Sequence, residues 1–264
     1  MIWIGAASLF ALMSVLWFVS YRKTNAGWVD IGWTIGTGGL GVLYAFLGDG
    51  DLLPRVAVGV LSGLWGLRLT VHLLPRLIGA TEEEPRYARL RARWSTNTEP
   101  KMFLMFQAQT LLALILAITF HAAATSPNPG SALTVWVGVL LWIVGFVGES
   151  AADRQLARFK SDPKNRGKVC DVGLWRYSRH PNYFFEWVLW IGYGFVGTGG
   201  SDTWLAWIGP VLIGVLLVFV TGIPPSERQA LRSRGDAYRA YMERTSPFIP
   251  LPPSASRRGT QVTT

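Results

Sequence analysis

Seven apolar runs dominate this chain, at about 2–20, 27–47, 54–79, 102–123, 131–151, 182–199 and 203–223. Each approaches the ~20 residues that a helix needs to cross a ~30 Å hydrocarbon core. In such a core every backbone N–H and C=O must find its partner within the protein, which leaves helices or closed barrels. The runs are too long and too continuous for the alternating strands of a barrel. Composition points the same way, since half of the residues are hydrophobic and only 16% are charged, against roughly 25% in soluble domains. The expectation is an all-α polytopic membrane protein, one domain over 1–264 with seven transmembrane helices, and a flexible tail at 254–264. The first run lacks an Ala-x-Ala cleavage pattern and is kept as a helix. Breaks such as "LGDGDLLP", "ATSPNPGSA" and "GTGGSD" supply the turns.

Charge sets the orientation. With the N-terminus outside, the 25 Lys and Arg place 2 in the first inner loop, 6 in the second, 8 in the third and 7 in the C-terminal tail. With Arg76, at the end of the third run, counted in the second inner loop, only Arg55 falls outside and only Arg68 deep inside a span. The positive-inside rule therefore gives N-terminus out and C-terminus cytosolic. The same loops account for the net charge of +9 and the pI near 10.0. Their expected partners are anionic membrane lipids, not nucleic acid, and no obligate protein partner is implied. The single cysteine, Cys170, excludes an internal disulfide framework.

Ionisable groups at membrane depth cost roughly 2.5 to 3.5 kcal/mol on insertion scales and mark pathways or sites. Here they are Asp30, Arg68, His72, His121, Glu149, Asp153 and Glu186. Trp65, Arg68 and His72 share one helical face in "LWGLRLTVHLLPR". They read as the wall of a cavity on the cytosolic half, or as an arginine that snorkels. Glu149 and Asp153 form a second i, i+4 pair, suited to amides and hydroxyls, or to salt bridges with Arg154, Arg158 and Lys160. No His-Glu-x-x-His, Cys-x-x-Cys or histidine cluster accompanies them, so no metal site is expected. "GTGGLG" at Gly36 to Gly41 matches the dinucleotide fingerprint by letter. That motif works only where a strand turns into a helix; these glycines lie mid-span, where small residues serve close helix packing.

"GLWRYSRHPNYFFEW" combines cations, aromatics and amide-bearing groups just before an apolar run. His180-Pro181-Asn182-Tyr183 forms a turn, because proline fixes its own φ and disfavours helix in the residue before it. Asn182 is expected to cap the following helix, with Glu186 one turn further on. Asn and Glu suit a carboxamide or a ribose, while Arg176, Arg179, Lys164, Arg166 and Lys168 suit phosphates.

"GLWRYSRHPNYFFEWVLWIGY" resembles the C-terminal signature of the membrane-bound steroid 5-alpha-reductase and sterol C14-reductase superfamily. The inner loop "EEEPRYARLRARW" and the tail "DAYRAYMERTSPFIPLPP" resemble its bacterial 5-alpha-reductase-like branch. The resemblance implies NADPH-dependent reduction of a carbon–carbon double bond in a hydrophobic, steroid- or lipid-like substrate. It also implies a seven-helix bundle that takes its cofactor from the cytosol. Matched by motif, Asn182, Tyr183 and Glu186 would meet the nicotinamide end. Asp153 and Lys160 would hold ribose and phosphate, and Arg68, Arg86 and Tyr87 would add cofactor contacts. His72, Glu149, Lys168, Tyr177, Arg179 and His180 complete the cofactor set.

Hydride addition to the β carbon of an enone puts negative charge on the carbonyl oxygen, where a preorganised donor lowers the barrier. Asp30 is the candidate, since burial raises a carboxyl pKa and lets a neutral acid donate. The steroid-reducing eukaryotic branch carries a Gln-Glu pair here and a Tyr on the next helix. This chain has no Gln-Glu dipeptide, and Trp65 falls near the tyrosine position, so Trp65 joins Asp30 in the catalytic set. Trp33, Gln107 and Gln109 are the expected substrate contacts. The departure bears on the steroid rather than on enone reduction. An alternative is an S-adenosylmethionine-dependent methyltransferase similar to the isoprenylcysteine carboxyl methyltransferases, which carry a similar "RHPNY" block followed by a tail with an acidic residue and a Tyr-x-x-Tyr; "SERQALRSRGDAYRAYMERT" matches that tail with Glu227 at the acidic place. A third is a non-catalytic lipid-binding protein. The expected location is a bacterial inner membrane rather than endoplasmic reticulum, with the cofactor site on the cytosolic side.

Overall fold

A computed structural model describes residues 1–80, 82–94, 96–127, 131–199 and 202–254. The expected tail at 254–264 lies outside the described residues from 255 onward. The chain is built from α1 (Ile2–Lys23), α2 (Trp28–Leu47), α3 (Leu52–Ile78), α4 (Pro85–Arg93), α5 (Thr98–Thr125) and α6 (Ala132–Ser161). Then come α7 (Pro181–Val196), α8 (Thr203–Ala206), α9 (Ile208–Val215), a π-helical stretch (Leu216–Val220) and α10 (Ile223–Arg244). Among the described residues there is no β-strand, only a bridge between Ser178 and Ser246.

Five stretches are long and apolar enough to cross a membrane: α1, α3, α5, α6 and the run Thr203–Arg244. The expectation was seven. α7 has 16 residues, about 24 Å of helix, short of a ~30 Å core. In α2, Asp30, two threonines and five glycines dilute the apolar content. α6 continues past the expected end at 151 to Ser161, because "ADRQLARFK" keeps helical propensity after its apolar stretch ends. α4 and α10 lie outside the seven expected spans; α10 carries five arginines and three carboxylates and belongs to the polar part of the chain.

The described chain divides into two compact units. The first comprises Met1–Val139 with Gly192–Gly209. Here α2 packs against α1, α3 and α5. Its glycines are the reason it can. A Cβ on Gly36 would lie 2.2 Å from Leu9 Cδ1, and one on Gly38 would lie 2.8 Å from the Ser62 carbonyl oxygen and 2.9 Å from Gly66 Cα. At Gly38 and Gly66, α2 and α3 therefore cross backbone to backbone. Thr34 and Thr70 share a hydroxyl hydrogen bond of 2.9 Å along the same crossing. Trp33 and Trp65 meet edge to face, with centroids 5.6 Å apart. In contrast, nothing lies within 4 Å of a Cβ on Gly39.

The second unit comprises Leu140–Ile191 with Pro210–Thr264. α6 and α7 approach closely at Gly145, where a Cβ would lie 2.6 Å from the Leu189 nitrogen. Trp187 Nε1 donates to the Pro210 carbonyl at 3.1 Å and fixes α7 to the start of the final span. After the π stretch, non-helical Gly222 redirects the chain into α10, and Gly235, at φ 51, interrupts α10.

The close crossing makes a test. Gly38→Val should lower thermal stability in detergent by about 1 to 3 kcal/mol, as expected for overpacking against backbone that cannot move aside. Gly39→Ala should be neutral or stabilising by up to about 1 kcal/mol, because it only gains helix propensity. Equal thermal midpoints for the two variants would contradict this packing.

Candidate functional site

The site grows from the loop between α6 and α7. Asp162 accepts from Lys164 N at 2.9 Å and starts a short 3₁₀ turn, and Asn165 Nδ2 donates to the Phe159 carbonyl at 3.0 Å. Gly167 and Gly173 take left-handed backbone angles, φ 79 and φ 59, that other residues rarely adopt. The returning chain is tied to α6: Trp175 Nε1 donates to the Ala152 carbonyl at 3.0 Å, and Leu174 N donates to Gln155 Oε1 at 2.9 Å.

α7 begins at Pro181, one residue before the expected start, which corrects the capping role expected of Asn182. Proline is favoured at the first helical position, where its missing N–H costs nothing. His180 therefore precedes the helix and its carbonyl accepts from Phe184 N at 3.1 Å. Asn182 lies in the first turn, and its Nδ2 reaches Asp153 Oδ1 at 3.4 Å.

Arg179 is 8% exposed and its donors are used internally. Nε donates to Glu227 Oε1 at 2.7 Å, Nη1 donates to the Thr245 carbonyl at 2.7 Å and the Met242 carbonyl at 3.0 Å, and its backbone N–H donates to the Ser246 carbonyl at 2.8 Å. His180 Nε2 lies 3.4 Å from the same Glu227 oxygen, and the His180 ring stacks on Tyr183 at 5.2 Å. Tyr183 and Ser226 share a hydroxyl hydrogen bond of 3.0 Å. Tyr241 donates toward the carbonyls of Trp175 and Ser178. These contacts bind the loop, the start of α7, and α10 into one wall.

Electrostatics follow from that wall. Burial pushes the Glu227 carboxyl up, but the nearby His180 ring and the hydrogen bond and charge of Arg179 together outweigh it, so the group sits below its ordinary value. Burial, reinforced by the Glu227 charge, pushes the Tyr238 hydroxyl up to about 12. Tyr241 rises as well, chiefly by burial. Both tyrosines remain neutral donors at physiological pH. Burial also raises the Cys170 thiol, which keeps it protonated.

The wall encloses a cavity of about 420 Å³. Phe159, Trp175, Tyr183 and Tyr238 give it aromatic surface; Lys160, Arg166, Lys168 and Arg234 give it positive charge. Arg234 Nε donates to the Lys168 carbonyl at 3.0 Å, which holds the loop edge against α10. Arg166 and Lys168 have no carboxylate partner within salt-bridge distance among the described residues. A cavity of this size, with aromatic faces and several convergent cations, suits a phosphate-bearing aromatic ligand.

Of the residues expected in the cofactor set, Lys160, Lys168, Arg179, His180, Asn182 and Tyr183 line this cavity. Glu149, Asp153, Tyr177 and Glu186 lie in the same unit but not on its wall. Glu149 is buried; Glu186 accepts from Trp190 Nε1 at 2.8 Å; Tyr177 is 43% exposed. The remaining expected residues, Asp30, Trp33, Trp65, Arg68, His72, Arg86, Tyr87, Gln107 and Gln109, belong to the first unit. There Tyr87 donates to Asp30 Oδ1 at 2.9 Å and Arg86 pairs with Asp30 Oδ2, so both carboxylate oxygens accept. Burial and the Asp30 charge raise the Tyr87 hydroxyl. Gln107 Nε2 lies 3.4 Å from Ser14 Oγ, and Gln109 is partly exposed.

The cofactor set expected from the sequence left out α10, which adds Ser226, Gln229, Arg234, Tyr238 and Tyr241 to the cavity. A signal existed. Ser226 and Ala230 are four residues apart and Tyr238 and Tyr241 are three apart, spacings that share a helical face.

The fold and this cavity define an all-helical integral membrane protein with a basic, aromatic-lined site beside its polar helices. Residues 16–245 match the family described as "Protein of unknown function (DUF1295)", and the chain belongs to that family. It is similar to the uncharacterized protein C594.04c of Schizosaccharomyces pombe, 25% identical over 272 residues, covering 94% of this chain and 79% of the relative. It is also similar to the uncharacterized protein C9.08c of the same yeast, 28% identical over 107 residues, covering 34% and 38%. No solved structure matches.

Glu227 provides a pH test. Its folded value is depressed, so the stability it contributes is present above its unfolded value of 4.5 and is lost as pH falls through the folded value. Glu227→Gln should cost about 2 kcal/mol at pH 7. The gap between wild-type and variant thermal midpoints should close as pH drops below that unfolded value, and a gap independent of pH would refute the pairing.

Proposed function

We propose that this protein is an NADPH-dependent membrane reductase that saturates a carbon–carbon double bond, of the enone type, in a hydrophobic steroid- or lipid-like substrate. The observation that carries this reading is the charge of the cavity: Lys160, Arg166, Lys168 and Arg234 converge on it. Such a lining suits a polyanionic dinucleotide and opposes the cationic sulfonium of S-adenosylmethionine. The resemblance of "RHPNYFFEWVLWIGY" to the steroid 5-alpha-reductase superfamily supports it, as does the association of DUF1295 with 5-alpha-reductase-like membrane proteins.

In this reading Lys160, Arg166, Lys168 and Arg234 hold phosphates, as charge-assisted hydrogen bonds do best in a partly water-excluded wall. Asn182 offers its amide to a carboxamide, and Tyr183, stacked on His180, offers a flat face to an aromatic ring. Bound NADPH supplies a hydride. Asp30 is the acid proposed for the charge that develops on the substrate oxygen, a role that needs its carboxyl protonated and therefore released by Arg86 or Tyr87, which both donate to it. Arg179, with its donors already engaged, orients the wall rather than binding phosphate. The proposed topology has seven spans, α2 and α7 completing the five apolar ones and the bilayer thinning locally around the short α7, with the N-terminus outside and the cavity on the cytosolic side of a bacterial inner membrane.

Glu227 beside His180, and Tyr238 with Tyr241 on the wall, favour the methyltransferase as second reading. One titration separates the two. Purified protein is titrated with NADPH, NADH and S-adenosylmethionine, following nicotinamide fluorescence and thermal shift. NADPH should stabilise the protein, and Arg166→Ala or Lys168→Ala should weaken its binding by about tenfold each. Stabilisation by S-adenosylmethionine alone would overturn the reductase. Asn182→Ala should also weaken NADPH binding. Asp30→Ala should lower turnover of a 3-keto-4-ene substrate far more than it lowers cofactor affinity; the reverse pattern would remove Asp30 from the chemistry.

A further inference from the structure

Trp17 and Tyr21 stand one helical turn apart near the end of α1, and with Pro100 and Phe103 of α5 they line a groove of about 500 Å³ in the first unit. Its floor is fixed by ring packing. Phe103 meets Trp17 edge-on at 5.1 Å and Phe10 edge-on at 6.3 Å, and Trp17 stacks on Tyr21 at 6.3 Å. The flank is apolar beyond the groove too: Trp3, Phe10, Val15 and Phe18 of α1 are each more than half exposed. In a membrane-spanning helix such side chains face lipid.

The chain leaves the apolar layer immediately after the groove. Arg22 and Lys23 follow Tyr21, both exposed, the first 5.9 Å from the Phe18 ring centroid and the second 5.9 Å from that of Trp28. Aromatic rings next to basic residues mark the headgroup level of a bilayer. One carboxylate, Glu99, lies on the groove wall, and Arg91 Nη1 holds it at 2.6 Å. Its charge is thereby offset, and Arg22 and Lys23, the residues that follow Tyr21, supply the excess positive charge at this end of α1.

We propose that this groove binds one glycerophospholipid with an anionic headgroup, its acyl chain lying on the Trp17–Phe103 floor and its phosphate at Arg22 and Lys23. A chain of methylenes is the occupant that matches an apolar trough open to lipid. The two cations select an anionic over a zwitterionic headgroup, since each basic residue near an anionic surface favours it by about 1 kcal/mol, or about fivefold. This site rests on the membrane character of the chain and not on the reductase reading, so lipid retention is measured without cofactor.

The protein is reconstituted in nanodiscs of phosphatidylcholine with a minor share of phosphatidylglycerol, re-extracted in detergent and weighed by native mass spectrometry. One phosphatidylglycerol per chain should be retained in preference to phosphatidylcholine. The double variant Arg22→Gln with Lys23→Gln should keep its thermal midpoint and lose that preference by at least fivefold. Phe103→Ala should lose retained lipid of both kinds. Arg228→Gln with Arg232→Gln, which removes the same charge from α10, should leave retention unchanged. Equal retention of the two lipids by the wild type, the same loss in the α10 variant, or a dimeric mass without lipid would overturn the proposal.

Discussion

A buried guanidinium is tolerated only when its donors and its charge are both satisfied. Arg179 meets that condition through Glu227, two carbonyls at the end of α10 and a backbone link to Ser246. The partners lie at the two ends of α10 and in the residues just after it. Satisfying one cation therefore fixes the start of α7, the beginning and end of α10, and the tail in a single arrangement. Tyr183, Ser226, Tyr238 and Tyr241 reach the cavity because that arrangement holds. Removing the arginine would leave Glu227 half-buried with only His180 beside it, a change in the wall rather than in one contact.

The helical, membrane-spanning character was legible because length and apolarity dictate it. α4 and α10 were not, because their arginines mask the periodicity of an amphipathic helix in a scan for apolar runs. The site was legible in part. Lys160, Lys168, His180, Asn182 and Tyr183 come from one stretch of sequence and reach one cavity, since local chain geometry suffices to bring them there. Arg179 read as a phosphate ligand; no local feature reveals that its donors are spent on carbonyls 63 and 66 residues downstream. Asp30 likewise finds Arg86 and Tyr87 across 56 and 57 residues, a pairing that depends on how the loop after α3 folds back.

"GTGGLG" shows how a letter pattern and its physical cause part company. A nucleotide loop needs glycine so that a phosphate can approach the backbone. In α2 the close approach is made by another helix: Gly36 admits Leu9 of α1, and Gly38 admits the backbone of α3. The same residue type answers the same steric need, with a different visitor. Gly39, facing open space, shares the pattern without sharing the cause.

The tail that crosses the loop before α7 has a consequence for the order of synthesis. Ser178 Oγ donates to the carbonyl of Phe248, 70 residues later. A ribosome adding about 5 to 20 residues per second takes roughly 4 to 14 seconds to cover that distance. Throughout that interval the nascent chain has most of its helices but an open cavity wall. The Ser178 hydroxyl and the Arg179 guanidinium then lack the downstream carbonyls that accept from them in the finished chain. Completion of the site is thus a late event in biogenesis, and a chain cut short before Phe248 would display to quality control the polar groups that the finished protein conceals.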